Sequence, residues 1–257
     1  MQGAVVVIVV PTYDERENVR PLVERLAAVR GGVGDMHVLF VDDASPDGTA
    51  AEVTRLMEDH GYVHLLERKG KMGLGTAYLD GFRRAIETLD PAVFVQMDSD
   101  LQHPPEAVKA LVEAVRGGAD VAVGSRYVEG GSFRGLAGSR RLISWGANRL
   151  ARTVLGLKVH DTTTGFKALN RVAVETMLAV KLHSSGFIFQ VESLYLFKEN
   201  GLSMVEVPFV FELRERGASK MSEKEVWEFF RSVVAMRFRD YRERKAAAAA
   251  GAATDSG

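Results

Sequence analysis

Two carboxylates and an amide stand close together in the sequence, directly after an apolar segment. Asp98, Asp100 and Gln102 follow residues 93–97, which have the composition of a buried strand. Residues two apart in extended backbone point to the same side, so these three side chains can face one point. Oxygen ligands of this kind suit Mg²⁺ or Mn²⁺, and substrate phosphates usually complete the coordination. The spacing therefore indicates a divalent-cation site; the alternative is a polar turn in which an aspartate caps the helix after Pro104.

Three further polar segments follow predicted strands in the same way. Residues 11–15 follow the first strand, Asp42 and Asp43 follow the second, and residues 124–127 follow the fifth. Ligands bind beyond the carboxyl ends of the strands in open α/β sheets, so we expect these segments to form one site. The pair of aspartates fits two interpretations: a local turn, or a carboxylate that accepts hydrogen bonds from a ribose or a base.

Basic side chains could hold phosphate groups near that edge. Residues 70–75 lack the spacing of a P-loop, but they form a glycine-rich helix start that carries Lys71. Such a start suits a phosphate or a sugar, and a flexible turn fits it equally well. Arginine binds phosphate through two parallel N–H donors, and the best-placed basic residues are Arg126, Arg214 and Lys220. His103 could act as a base or line its loop.

The elements that must position these residues alternate between strands and helices. Short apolar runs predict strands over 4–10, 37–41, 63–66, 93–97 and 120–124. Helical periodicity predicts helices over 19–27, 49–59, 74–89 and 108–115. This alternation implies βαβ units and a mostly parallel sheet. The second half is less regular, with helices expected over 140–155, 171–180, 190–200 and 223–244 and strands over 166–169 and 204–210.

The composition excludes several classes of protein. The 257 residues are 46% hydrophobic and 26% charged, which is ordinary for a globular domain. Lys plus Arg number 33 against 34 Asp plus Glu, a balance that argues against a nucleic-acid partner. The absence of cysteine excludes a disulfide scaffold, a thiolate zinc site and a cysteine nucleophile. No apolar run approaches the length of a membrane span, and the apolar N-terminus is typical of a first strand rather than a signal peptide.

Taken together and in order, the motifs resemble one family. They are Pro11-Thr12-Tyr13-Asp14-Glu15, Asp42-Asp43-Ala44-Ser45-Pro46-Asp47-Gly48-Thr49, Asp98-Ser99-Asp100-Leu101-Gln102-His103-Pro104 and Gly124-Ser125-Arg126-Tyr127. The set is similar to family 2 glycosyltransferases of the GT-A fold. Four further segments narrow the resemblance to dolichyl- or polyprenyl-phosphate mannose synthases, and they are residues 71–77, 161–166, 189–192 and 214–220. The resemblance covers roughly residues 4–240.

The resemblance implies an architecture and a set of site residues. It implies a Rossmann-like GT-A domain over residues 1–245, with a nucleotide-binding half to about 125 and an irregular acceptor-side half after it. The Ala- and Gly-rich composition of residues 246–257 predicts a disordered tail. Donor-binding residues would be Pro11, Tyr13, Glu15, Val41, Asp43, Lys71, Asp98, Ser99, Asp100, Arg214 and Lys220. Asp98, Asp100 and Gln102 would hold the metal, Arg126 and Arg140 would contact the acceptor phosphate, and Asp98, Asp100 and Arg126 would be catalytic.

The implied activity is metal-dependent, inverting transfer of mannose from GDP-mannose to a polyprenyl monophosphate. The cofactor would be Mg²⁺ or Mn²⁺, and the enzyme would sit peripherally at the cytoplasmic face of a membrane, where a membrane-anchoring partner protein could recruit it. One alternative is another sugar nucleotide, such as UDP-glucose, as donor. A remoter alternative is a catalytically silent nucleotide-sugar-binding module or a receiver-like module. The chain departs from the family in Asp14, where Asn is common, and in lacking the C-terminal spans of many relatives.

The segment 223–245 is the candidate for membrane contact. Its apolar residues recur at helical spacing, and they are Val226, Phe229, Phe230, Val233 and Val234, with Trp227 beside them. Basic residues become frequent toward its end, which is typical of an interfacial helix on anionic lipid. The alternative is a helix that packs on the sheet through the same apolar stripe.

Overall fold

The computed structural model describes residues 4–135, 138–180, 182, 187–212, 227 and 229–238. The strands are β1 Val6–Thr12, β2 Met36–Asp42, β3 Val63–Glu67, β4 Val93–Gln96, β5 Val121–Ser125, β6 Ser132–Phe133, β7 Lys167–Asn170, β8 Met204–Pro208 and β9 Val210–Phe211. The helices are α1 Arg16–Val33, α2 Thr49–Asp59, α3 Leu74–Leu89, α4 Val108–Arg116, α5 Gly138–Leu155, α6 Arg171–Leu178 and α7 Phe187–Glu199, with a 3₁₀ turn at Pro105–Ala107. Residues 229–238 are helical.

A seven-stranded sheet in the order β3-β2-β1-β4-β7-β5-β8 forms the centre of the fold. Strand β7 runs antiparallel to both neighbours, β4 and β5, and every other pairing in this sheet is parallel. Chain order reverses between β1 and β4, and such a switch point opens a crevice at the carboxyl ends of the strands. The predicted mostly parallel α/β architecture is therefore confirmed, with one inserted antiparallel strand.

The continuous apolar strands arise because helices cover both faces of the sheet. Alternate residues of β1 belong to different cores: Val7 and Val9 join the cluster under α3, α6 and α7, while Val6 and Ile8 join the cluster under α1, α2 and α4. The helical segment near the C-terminus also joins the first cluster, through Phe229, Val233 and Met236.

Two differences from the sequence expectations concern strands of the second half. The strand expected over 204–210 is two strands, because Phe209 separates β8 from β9 and β9 pairs with β6 in a small second sheet. The strand expected over 166–169 begins one residue later, and it is antiparallel to its neighbours. Residues 213–222, most of the 223–244 helix and the 246–257 tail lie outside the described residues. In the part of the chain that is described, no helix has the length and apolar character needed to cross a bilayer.

Helix α3 approaches the sheet closely because Gly81 lacks a side chain. A Cβ at this position would lie 2.5 Å from Cγ1 of Val9 and 2.9 Å from Cγ2 of Val41. We expect Gly81→Ala to lower the free energy of unfolding by about 1–3 kcal/mol, since an added methyl must displace β-branched core side chains. Gly146→Ala is the matched control: it is also helical, and nothing lies within 4 Å of its added Cβ. Equal urea midpoints for the two variants would contradict the close packing.

Candidate functional site

The carboxyl ends of β1, β2 and β4 hold the polar segments at one edge of the sheet. The strand ends are bonded to one another, since the Asp43 amide donates to the carbonyl of Thr12 at 3.0 Å and the Met97 amide donates to the carbonyl of Val9 at 3.2 Å. Beyond β5, the Arg126 amide donates to Asp161 Oδ2 at 3.0 Å. As expected, these loops therefore lie at the same edge of the sheet.

Asp98 is held from two sides by buried aromatic residues. The Tyr78 hydroxyl donates to Asp98 Oδ1 at 3.2 Å, and the Asp98 amide donates to Nδ1 of His103 at 3.1 Å. Burial raises the pKa of the Tyr78 phenol well above its ordinary value, so this hydroxyl stays protonated and remains a donor. The Asp98 side chain keeps 39% of its surface exposed, so its carboxylate faces the crevice.

The backbone around the two aspartates is not extended, contrary to the expectation from their spacing. Strand β4 ends at Gln96, and Leu101 has a φ of 64°, in the left-handed region. The Gln102 amide donates to Asp100 Oδ1 at 3.1 Å, and the Gln102 side-chain amide donates to the carbonyl of Glu212 at 3.3 Å. A tight turn therefore positions the three predicted ligands, and this turn is hydrogen-bonded to the residue that follows β9.

The donor set of this turn suits a hard cation. Two carboxylates and one amide oxygen match Mg²⁺ or Mn²⁺, and the hydrogen bond from Gln102 nitrogen to Glu212 orients the amide. Among the described residues, no group of three or more His, Cys, Asp and Glu side chains is arranged to hold a metal ion. A Mg²⁺ ion held by few protein ligands usually keeps several water molecules and takes phosphate oxygens from a substrate.

The local-turn interpretation of the Asp42-Asp43 pair is confirmed for Asp42. Asp42 forms the local turn: it accepts hydrogen bonds from the Ser45 amide at 2.9 Å, the Ser45 hydroxyl at 2.6 Å and the Thr12 hydroxyl at 3.0 Å. Asp43 instead pairs with the buried Arg68 at 2.7 Å. Burial raises the pKa of Asp43, and the Arg68 guanidinium opposes that shift. Contact of Asp43 with a ribose or base stays a prediction.

Five further donor-binding candidates come from β1 and the residues after it, from β2 and from the segment before α3. Lys71 Nζ sits 4.0 Å from the ring centroid of the half-exposed Tyr13, so two of the expected donor-binding residues are in contact. Glu15 immediately precedes α1, and its carbonyl accepts the amides of Asn18 and Val19. Pro11 stands opposite Val41 in the β1–β2 register. The Val41 side chain is fully buried in the core, so only its backbone could contact a ligand.

Other predicted residues are buried or lie outside the described part. Ser99 is only 5% exposed, within the turn between Asp98 and Asp100. The backbone of Arg140 lies in α5, but its side chain is outside the described atoms. Arg214 and Lys220 also lie outside the described residues.

Arg126 is engaged by a partner that the sequence interpretation gave no role. Its Nε donates to Asp161 Oδ2 at 2.6 Å and its Nη2 donates to Asp161 Oδ1 at 2.7 Å, which makes a two-bond pair. Nη2 also donates to the Thr163 hydroxyl at 3.0 Å, and the rings of Phe133 and Phe211 lie 5.0 and 5.2 Å from the guanidinium carbon. Arg126 is therefore already paired, and the pair with Asp161 uses Nε and Nη2 but not Nη1.

A buried lysine lies beneath the site. Lys167, on β7, donates from Nζ to the carbonyl of Thr164 at 2.8 Å and to the side-chain oxygen of Gln190. Burial lowers the pKa of Lys167 to about 7. These bonds tie α7 to the 161–166 loop, where a methyl group on Gly165 would lie 3.4 Å from both carboxylate oxygens of Asp98. The sequence signal was a lysine in the strand predicted over 166–169, whose other residues are apolar, because a buried charge requires a partner.

His103 lines its loop and does not serve as an exposed base. The ring is 2% exposed and stacks on Phe166 with centroids 4.9 Å apart. Burial lowers the pKa of His103 to about 4, so the imidazole is neutral at pH 7 and its Nδ1 accepts the Asp98 amide. Its task is to fix the Asp98 backbone.

The depressed pKa of His103 predicts a pH-dependent stability. Between the folded pKa of about 4 and the ordinary value of 6.5, the unfolded chain binds more protons, so the free energy of unfolding falls as the pH is lowered. His103→Phe keeps a ring and removes the titration. From about pH 7 to about pH 4.5, the wild-type protein should lose about 2–3 kcal/mol more than this variant in urea unfolding. Parallel losses in the two proteins would contradict the assignment.

The comparison with known families decides the classification. Residues 7–178 match the family model described as Glycosyl transferase family 2. That range contains β1 through α6, including Asp43, Asp98, Asp100 and Arg126.

The chain belongs to glycosyltransferase family 2.

Its relatives within the family are similar over most of the chain. It is 42% identical over 216 residues to the polyprenol monophosphomannose synthase of Mycolicibacterium smegmatis, covering 84% of this chain and 80% of that one. It is 42% identical over 218 residues to the undecaprenyl-phosphate mannosyltransferase of Micrococcus luteus, covering 84% and 87%. It is 38% identical over 228 residues to the dolichol-phosphate mannosyltransferase of Pyrococcus furiosus, covering 88% of this chain and 62% of that longer protein.

Solved structures agree on the fold of this family 2 enzyme. The glucosyl-3-phosphoglycerate synthase of Mycobacterium tuberculosis, crystallised with Mn²⁺, UDP-glucose and phosphoglyceric acid, superposes with a TM-score of 0.65 at 18% identity, covering 91% of this chain and 80% of that one. At this identity the likeness establishes the architecture only. The predicted GT-A fold, a mostly parallel central sheet flanked by helices, is confirmed.

Proposed function

We propose that this glycosyltransferase transfers mannose from GDP-mannose to a polyprenyl monophosphate, with inversion at the sugar carbon. The main support for the proposal is that this chain is 38–42% identical in sequence to three proteins named for mannose transfer to polyprenol, undecaprenyl or dolichol phosphates. The crevice adds to that support, because it sets oxygen ligands, a paired carboxylate and basic side chains around one sheet edge.

We propose that Asp98, Asp100 and Gln102 hold Mg²⁺ or Mn²⁺ together with the donor diphosphate. The cation, when bound, would stabilise the negative charge that develops on the leaving nucleoside diphosphate. Tyr78 and His103 fix Asp98 from either side, so this ligand is positioned before the substrate arrives. Such preorganisation lowers the cost of binding because no side chain has to be ordered.

The nucleoside would lie between the ends of β1 and β2. Asp43 is held by Arg68, which also donates to the Thr76 hydroxyl at 2.6 Å and so joins the end of β2 to the first turn of α3. Tyr13 and Lys71 face each other across this region. Asp43 would accept hydrogen bonds from the ribose or base, and Lys71 would approach the phosphates.

The acceptor requires no general base from the protein. A phosphate monoester is anionic at pH 7, so its oxygen can attack the sugar carbon directly. The chain's contribution is to hold two like-charged substrates against each other, which Arg126 would do through Nη1 while Asp161 fixes its plane. Arg140, Arg214 and Lys220 are proposed to contribute further phosphate contacts.

A combined binding and turnover experiment tests the proposal. Thermal unfolding is followed with GDP, UDP, GDP-mannose and UDP-glucose, each with Mn²⁺ and with EDTA, and the product of transfer is analysed by mass and anomeric NMR. The expected result is a shift with the guanine nucleotides that requires the cation, and a β-linked mannosyl phospholipid. A shift with uracil nucleotides alone, with glucosyl product, would overturn the donor assignment.

We also propose that the enzyme works at the cytoplasmic face of a membrane, alone or with a membrane-anchoring partner protein. The acceptors in the names of the relatives are polyprenyl lipids. The 223–245 segment cannot use its whole apolar stripe for lipid, because Phe229 and Val233 are buried in the core. Trp227, Phe230 and Phe238 are exposed, so the described part of the segment presents an apolar side outward as well.

A further inference from the structure

One motif of the sequence, residues 189–192 in the first turns of α7, has no role in the proposed mechanism. It contains Gln190, which is only 1% exposed. Among the residues that the structure describes, no group accepts a hydrogen bond from Gln190 Nε2. Buried side-chain donors in proteins nearly always have a partner, so the unpaired amide nitrogen needs an explanation.

Lys167 determines which way the Gln190 amide points. Lys167 Nζ donates to Gln190 Oε1 and to the carbonyl of Thr164. A protonated lysine has hydrogen-bond donors only, so the amide oxygen must face Lys167 and the amide nitrogen must face away from it. The orientation of the amide is therefore fixed before any ligand binds.

The Nε2 group lies beside a gap next to Asp98. A Cβ on Gly165 would lie 3.3 Å from Gln190 Nε2 and 3.4 Å from each carboxylate oxygen of Asp98. The φ of Gly165 is not left-handed, so the backbone does not require glycine, and the missing side chain keeps the gap open. Both sides of the gap are held in place, because Phe189 stacks on Tyr78 with ring centroids 6.2 Å apart and Tyr78 donates to Asp98 Oδ1.

The two sides of the gap have opposite hydrogen-bonding character. Gln190 Nε2 can only donate a hydrogen bond, and the carboxylate of Asp98 can only accept one. A group that bridges them must accept from the amide and donate to the carboxylate, as a hydroxyl does. A phosphate would meet the negative charge of Asp98, and a cation would meet the N–H groups of Gln190 with Lys167 behind them. The gap therefore suits an uncharged hydroxyl group.

We infer that Gln190 Nε2 donates to a hydroxyl of the transferred sugar, and that the same hydroxyl donates to Asp98. The inference rests on the proposed function, since the sugar of a nucleotide sugar is bonded directly to the diphosphate that the cation at Asp98 would hold. A sugar hydroxyl thus comes within reach of this carboxylate when the donor is bound. A donor that lacks this hydroxyl leaves the buried amide unpaired, so Gln190 takes part in the choice of sugar.

Calorimetric titration of the full chain with GDP and with GDP-mannose, each with Mn²⁺, measures the contact without turnover. Gln190→Glu keeps an oxygen for Lys167 and replaces the donor by an acceptor, while Gln190→Met removes both polar atoms. Both variants should bind GDP-mannose at least about tenfold more weakly than the wild-type protein and should bind GDP within about twofold of it. Equal weakening for the two ligands, or an unchanged affinity for GDP-mannose, would overturn the inference. Gln190→Glu decides the question if Gln190→Met does not fold.

Gln96 supplies the matched control. It is fully buried, its amide atoms have no partner among the described residues, and it stands opposite Lys167 in the β4–β7 register. Gln96→Met therefore removes another unpaired amide from the same face of the sheet at similar side-chain length. Its affinities for GDP and GDP-mannose should equal the wild-type values. A loss of GDP-mannose affinity as large as that of the Gln190 variants would indicate a disturbed core and would contradict a sugar contact.

Donor analogues identify the hydroxyl. GDP-mannose is compared with derivatives that lack the hydroxyl at C2, C3, C4 or C6, as donors for the wild-type protein and for Gln190→Glu. For one derivative, the kcat/KM of the wild-type protein should fall at least about tenfold, while that of the variant falls no further. If the two losses multiply for every derivative, Nε2 is paired with a water molecule or serves the fold, and the inference is wrong.

Failure of the proposed function has a different signature. If the wild-type protein neither binds nor uses GDP-mannose and accepts UDP-glucose instead, the donor assignment is overturned, and the deoxy derivatives of that donor decide the role of Gln190 separately. If the wild-type protein transfers mannose and the losses multiply for every derivative, the Gln190 contact is overturned and the proposed function remains.

Discussion

Replacing Asp100 with asparagine or alanine is expected to lower kcat for mannosyl transfer by about a thousandfold, because each change removes a carboxylate proposed to hold the cation. Asparagine can still accept the Gln102 amide, which now donates to Asp100 Oδ1 at 3.1 Å, so the turn should survive. Steady-state kinetics with labelled GDP-mannose measure the loss, and thermal unfolding without ligands verifies that the fold is intact.

Two controls make this result specific to the cation. Asp59→Asn removes an exposed carboxylate at the end of α2 and should leave turnover unchanged. EDTA should stop the wild-type enzyme, and added Mg²⁺ or Mn²⁺ should restore the wild-type enzyme but neither Asp100 variant. Turnover close to the wild-type rate in Asp100→Ala, with or without EDTA, would contradict the cation site.

The Arg126–Asp161 pair should give the second large effect, on stability and turnover together. The Asp161 side chain is fully buried and that of Arg126 is 11% exposed, so removal of either partner leaves the other as a buried charge without a counter-charge. Arg126→Met and Asp161→Asn should each lower the free energy of unfolding by about 3–5 kcal/mol. Urea unfolding measures the loss. The free energy of unfolding of Arg126→Lys should lie between those of the wild-type protein and Arg126→Met, because lysine keeps the charge without the planar donor pair.

The double variant separates a structural role from a role in transfer. Arg126→Met with Asp161→Asn leaves no stranded charge, so its stability should be well above that expected from the sum of the single losses. Its turnover should remain low, because no guanidinium faces the acceptor phosphate. Recovery of stability together with turnover would mean that Arg126 serves the fold alone, and the proposed acceptor contact would be wrong.

Individual elements differ in how well the sequence anticipates them. Helices α2 and α3 have the predicted bounds, because each carries its own apolar face and a turn or glycine before its first residue. The Asp98–Gln102 turn was correctly placed after β4, yet its backbone was wrongly expected to be extended. Strand periodicity says where a strand ends, but the path of the loop depends on contacts such as those with His103 and Glu212.

The sequence by itself determined the α/β class, the order of the motifs and their common position at the ends of the strands, because hydrophobic periodicity is a local property. Only the tertiary structure decided which partners these residues meet. Arg126 pairs with Asp161 across 35 positions, Asp98 meets Tyr78 across 20, and antiparallel β7 enters between β4 and β5. The sequence pattern is compatible with several charged residues as partners. The partner that each residue meets depends on how the packed sheet and helices bring the ends of the intervening loops together, and no local sequence signal specifies this arrangement.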